Sequence, residues 1–99
     1  MRWELRLTTG EDDNGLRVAL DGRLTAATTP RLAEVLAIAI ARGKRRIFLD
    51  LNGLDYISSS GILTIETAAA RLQVVSGCLT VENAQPAVQV ALDLARGQV

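Results

Sequence analysis

The sequence predicts an α/β fold: a two-layer sandwich with a mixed four- to five-stranded sheet, amphipathic helices on one face, and the order β-β-α-β-α-β-α. Three observations carry this. Apolar and polar residues alternate on both sides of an Asn-Gly pair near the start, apolar residues recur at helical spacing in three later stretches, and short apolar runs lie between those stretches.

The first element is a strand over residues 2–8, with Trp3, Leu5 and Leu7 on one side and Arg2, Glu4 and Arg6 on the other. Trp3 is in phase with the leucines and reads as core or sheet-edge packing. Thr9 to Gly15 then turns the chain, with Asn14-Gly15 as the hairpin signal, and Leu16, Val18 and Leu20 alternate inward until Asp21-Gly22 closes the second strand. A helix follows, with Thr29 as its N-cap, Pro30 at the first helical position and Gly43 at its end. Leu32, Val35, Leu36, Ala39 and Ile40 form its buried stripe, and Ile38 broadens it.

The run Ile47-Phe48-Leu49-Asp50-Leu51 reads as a central strand, reached by a right-handed crossover. Asn52-Gly53 is expected to turn the chain, and Leu54, Tyr56 and Ile57 to tuck a loop back onto the core. The second helix runs from Ser59 or Ser60 to Val74, with Ile62, Leu63, Ile65, Ala69 and Leu72 as its apolar surface. Leu63 and Glu66 do not obviously share the buried face, so part of this helix reads as a mixed contact surface. Ser76-Gly77 breaks it. Residues 78–81 form a brief strand, and a last helix begins at Pro86 and ends at Gly97.

The 99 residues make a single domain spanning 1–99, and a composition 48% hydrophobic places it among globular chains rather than disordered ones. Eleven basic and eleven acidic side chains cancel, so there is no electrostatic case for nucleic acid as a partner. With no histidine, the usual general base, the commonest metal ligand and any serine–histidine relay are all absent. Cys78 is the only cysteine, which excludes an internal disulfide; it reads as an inert buried thiol. No apolar run approaches the roughly 20 residues of a spanning helix, and the first residues do not form a signal peptide. The expectation is a cytoplasmic protein with no direct membrane insertion.

The carboxylates at Asp50, Asp55, Glu66, Glu82 and Asp93 form no convincing acid–base pair by spacing. No HExxH, CxxC, GxxxxGK[ST] or GxGxxG occurs, and the one lysine, Lys44, sits at a helix–strand junction away from any serine. The chain is therefore expected not to be an enzyme and to need no cofactor or metal. A small serine hydrolase is the enzyme alternative, and the missing base argues against it.

Ser58, Ser59, Ser60 and Gly61 open the second helix. One serine suffices for a cap, and glycine near a helix start costs about 1 kcal/mol against alanine, so its presence points to a close approach to the backbone. A hydroxyl here suits a switch. Phosphorylation adds a charge of about −1.5 to −2, which the helix dipole and free N–H groups receive without refolding.

The segment DLNGLDYISSSGILTI resembles the signature of the STAS domain family, the bacterial anti-sigma factor antagonists and their relatives, in which "DLSGVxYIDSSGL" precedes the second helix. Upstream, GRLTAATTPRLAEVL is similar to the family's "G.LD..T...L...L" segment, with Thr25 at the usual acidic position. Element order and length agree from about Trp3 to Gly97. The resemblance implies that Ser59 is the phosphoacceptor, that Ser60 and Gly61 occupy the next two family positions, and that Ser58 replaces the family aspartate. It further implies binding to a serine-kinase anti-sigma factor, switched off by phosphorylation. Asp50, Tyr56, Ser58, Ser60, Gly61 and Leu63 are the expected partner-binding or supporting residues, around a loop over residues 54–61. Asp50 is the carboxylate expected beside Ser59, Tyr56 reads chiefly as a loop anchor, and Leu63 reads equally as core or contact. The alternative is a non-phosphorylated scaffold, or a partner subunit in a sensory or membrane-associated transport assembly.

Overall fold

The computed structural model describes residues 4–97; the expected placements of Arg2 and Trp3 lie outside them. Its elements are β1 (Leu5–Asp12), β2 (Gly15–Leu24), α1 (Thr29–Ala41), β3 (Arg46–Ile57), α2 (Ser59–Val74), β4 (Cys78–Glu82) and α3 (Pro86–Ala95). The strands lie in the order β1-β2-β3-β4, with β1 antiparallel to β2 and the other two pairings parallel. This is the predicted mixed α/β architecture, with four strands among the described residues.

The opening hairpin is longer than its alternation suggested. β1 continues through Thr9–Asp12, and Asp12 stands opposite Gly15, so the connection is only Asp13-Asn14. Asp12 Oδ1 accepts the backbone N–H groups of Asn14 and Gly15 at 2.7 and 3.2 Å, which fixes the turn locally.

β2 and β3 run through both dipeptides expected to be turns. Gly22 sits at φ +111°, a conformation glycine adopts cheaply, and β2 continues to Leu24. At Asn52-Gly53, three residues of β2 (Ala19 to Asp21) face four of β3 (Asp50 to Gly53), and a second extra residue follows between Leu54 and Tyr56. These bulges change the inward spacing of β3 from every second residue (Ile47, Leu49, Leu51) to every third (Leu54, Ile57). The broken alternation therefore looked like a loop. Gly53 packs closely on Asp21: a Cβ there would lie 1.8 Å from Asp21 Oδ1, so the aspartate side chain would have to move aside.

The inward strand residues and Leu32, Leu36, Ala39, Ile65, Ala68, Leu72, Val88 and Leu92 from the three helices form one core cluster. The helices therefore cover one face of the sheet. On the other face, Arg17 reaches Asp12 at 2.9 Å and Glu82 at 2.7 Å and lies 4.5 Å from the centroid of Phe48.

Several sequence expectations shift by a residue or a face. Thr28, not Thr29, occupies the N-cap of α1, and it makes no side-chain cap bond. Its buried Oγ1 instead accepts the Thr25 N–H and donates to the Arg23 carbonyl, both at 2.8 Å, bracing the β2–α1 connection. Ile38 faces outward at 45% exposure rather than widening the buried stripe. Cys78 is exposed, because it opens an edge strand on the face away from the helices.

Candidate functional site

The site forms where β3 meets α2. Since β3 runs to Ile57, the expected loop over residues 54–61 reduces to Ser58 alone between strand and helix. Ser58 is extended, at φ −85° and ψ 168°, and donates its N–H to the Leu24 carbonyl at 2.8 Å. That bond ties the end of β2 to the start of α2.

The three serines divide their roles. Ser58 Oγ is the N-cap, accepting the Gly61 N–H at 3.2 Å, and Ser60 Oγ bonds Ser58 Oγ at 2.9 Å. Ser59, the first residue of α2, is exposed, and its hydroxyl makes no hydrogen bond to another of the described residues. No acidic side chain occupies the first turn of this helix, so the positive end of its dipole is uncompensated there.

Gly61 is not a contact surface. It is buried, and a Cβ there would lie 2.7 Å from Leu24 Cδ2 and 3.1 Å from Ile57 Cγ1. What approaches its backbone is the chain's own core. Asp50 is also removed from the site. It faces Ala19 and Glu82 within the sheet, and about 20 Å of strand separates it from Ile57. Its Oδ1 accepts the Asn52 N–H at 3.0 Å and the Asn83 amide at 3.4 Å. The expectation placed it at a strand end because Asn52-Gly53 was read as a turn. Tyr56 does not anchor a loop; it lies in β3, 43% exposed, with the Arg23 guanidinium carbon 4.7 Å from its ring centroid.

Leu63 is 66% exposed, one turn beyond Ser59. With Ser59, Ile62, Glu66 and Ala95 it lines a shallow groove between α2 and the end of α3. Ala95 was not anticipated, because nothing local in the sequence brings the last turn of α3 beside residue 59. Among the described residues, no group of three or more His, Cys, Asp or Glu side chains is placed to hold a metal ion. None of their helices is long and apolar enough to cross a membrane.

Comparison with known proteins adds an independent line. The family profile described as "Mlab, STAS domain" matches residues 7–96. A Bordetella bronchiseptica protein described as an anti-sigma factor antagonist, BtrV, is 33% identical over 90 residues, 91% of this chain and 78% of that protein. An anti-sigma factor antagonist from Mycobacterium paratuberculosis superposes with a TM-score of 0.81 at 17% identity, covering 93% of this chain and 78% of its own. The anti-sigma factor antagonist SpoIIAA in its unphosphorylated form gives 0.77 at 18% identity over 90% and 83% of the two chains. Its phosphorylated form, from Bacillus, gives 0.75 at 19% over 94% and 85%. These structural likenesses establish the shared fold.

Proposed function

The chain belongs to the STAS domain family, a family of non-enzymatic interaction domains, and within it we propose an anti-sigma factor antagonist whose phosphoacceptor is Ser59. The unphosphorylated domain binds a serine-kinase anti-sigma factor in the cytoplasm. Phosphorylation of Ser59 ends that binding.

One observation carries the reading: of the three serines opening α2, Ser59 alone is exposed and uncommitted, while Ser58 and Ser60 are bonded to each other. A kinase can reach its hydroxyl without dismantling the cap. The phosphate would stand at the positive end of α2, where free N–H groups and the dipole accommodate about −1.5 to −2 charges. The backbone then stays in place while the surface changes, so the partner loses its seat through charge and desolvation. SpoIIAA, similar in fold, is known in unphosphorylated and phosphorylated forms.

The test is incubation with candidate anti-sigma kinases and ATP, followed by intact mass and site mapping. A single phosphate on Ser59 is expected, with Ser59→Asp abolishing partner binding and Ser59→Ala preserving it. Partner binding unaffected by both substitutions would instead identify a constitutive subunit, the reading favoured by Ser58, which caps α2 without the family's aspartate.

A further inference from the structure

The outer edge of the sheet, away from Ser59, is built to pair. β1 is an outer strand bonded only to β2, and its register runs unbroken from Leu5 to Asp12. Asp12 and Gly15 flank a two-residue turn, and the Glu4 carbonyl accepts the Arg23 N–H. Even-numbered residues of β1 therefore aim their backbone groups at β2, and Leu5, Leu7, Thr9 and Glu11 aim theirs outward. Leu5 is already engaged, because its carbonyl accepts Arg31 Nη1 from α1. That leaves Leu7, Thr9 and Glu11, between the arginine and the turn. β1 holds no proline, lysine or bulge to blunt this edge. Beside it, Thr9, Glu11, Val35, Ile38 and Ala39 help to line a groove between β1 and α1, with Ile38 45% exposed.

We propose that a second copy of this chain docks on this edge, its β1 antiparallel to the first across a two-fold axis, so that two four-stranded sheets become one. The three available residues of each copy pair completely in one register, with Thr9 opposite Thr9 and Leu7 opposite Glu11. That register also sets Arg6 of each copy opposite Asp12 of the other, on the face away from the helices. Opposite charges directly across a strand pair attract, and the match occurs twice. Sliding one strand by two residues loses a backbone pairing and separates Arg6 from Asp12. The edge is thus complementary to itself, which favours a second copy over an unrelated strand. The axis at Thr9 runs beside the groove, so the exposed Ile38 of each copy gains an apolar neighbour over the joined sheet. β2 lies between β1 and β3, so the junction that carries Ser59 stays uncovered.

The experiment is sedimentation equilibrium of the full chain from about 10 µM to about 1 mM under reducing conditions, for wild type, Thr9→Pro, Ile38→Glu and Arg6→Glu. Wild type is expected to dimerise with a dissociation constant of about 10–100 µM, in keeping with a small interface. Thr9→Pro removes an outward N–H and spares the β1–β2 ladder. It and Ile38→Glu should each weaken the dimer about tenfold or more with circular dichroism unchanged. Thr9→Cys in a Cys78→Ser background should yield a disulfide-linked dimer with oxidised glutathione, since such opposed residues hold their Cα atoms about 5.5 Å apart. That arm decides the case if Thr9→Pro misfolds. Wild type that stays monomeric to about 1 mM overturns the proposal. A dimer within about twofold of wild type in both Thr9→Pro and Ile38→Glu also overturns it, by placing the contact elsewhere. An undiminished dimer in Arg6→Glu overturns the register centred on Thr9.

Discussion

Ser58 Oγ and Ser60 Oγ lie 2.9 Å apart, so the hydroxyls flanking Ser59 satisfy each other and leave the middle one free. Because Ser58 also holds the Gly61 N–H, Ser58→Ala removes the N-cap of α2 and is expected to lower stability by about 1 kcal/mol in a urea titration. Aspartate caps as well as serine. Ser58→Asp therefore keeps the stability of wild type, and it restores the residue the family carries there. If the aspartate aids the kinase, mass spectrometry will show faster phosphate transfer to Ser59 in that variant.

Ser59→Asp places a negative charge in a first helical turn that has none. The favourable dipole interaction is worth about 0.3–1 kcal/mol. Thermal unfolding should rise slightly or stay level while partner binding is lost, which separates a surface switch from a folding defect.

Gly61→Ala tests why glycine stands in α2. Alanine is the better helix former by about 1 kcal/mol, yet its Cβ would meet Leu24 Cδ2 at 2.7 Å and Cγ at 2.9 Å. Overpacking costs about 1–3 kcal/mol, and the expected net result in chemical denaturation is destabilisation. A stabilised variant would show that the leucine yields readily.

Asp12 supplies a pH dependence. Its carboxylate accepts Arg17 Nε and the Asn14 backbone N–H, and these bonds, the arginine first, hold its pKa below the ordinary carboxylate value. A folded value below the unfolded one means the stabilisation is present above the unfolded value and lost as pH falls through the folded one. Urea midpoints should therefore favour wild type over Asp12→Asn at neutral pH, with the gap closing below about pH 4.

The sequence was legible wherever one local pattern acted alone. The helical stripe of Leu32, Leu36 and Ala39 sits in the core as read, and Asn14-Gly15 marked the hairpin to within one residue. Asp21-Gly22 and Asn52-Gly53 misled for a shared reason. Both carry turn chemistry, but pairing of β2 with β3 overrode it, and the bulges erased the alternation that would have revealed a continuing strand. The start of α2 at Ser59 was visible because a strand-to-helix junction announces itself. Asp50 was placed too near because that junction was set one turn signal too early. Leu63 was undecidable from spacing, since the face that α2 buries depends on Leu24 and Ile57 receiving Gly61.

β4 pairs with β3 only from Arg46 to Asp50, and from Leu51 to Ile57 no strand of the described residues lies on that side. α3 packs on β3, and the Gln85 amide donates to the Asn52 carbonyl at 2.8 Å. The final helix is thus a prop under the half-strand that delivers Ser58 to its post. A cut or lesion that dislodges this prop should be felt first where β3 hands over to α2, well before the opening hairpin registers any loss.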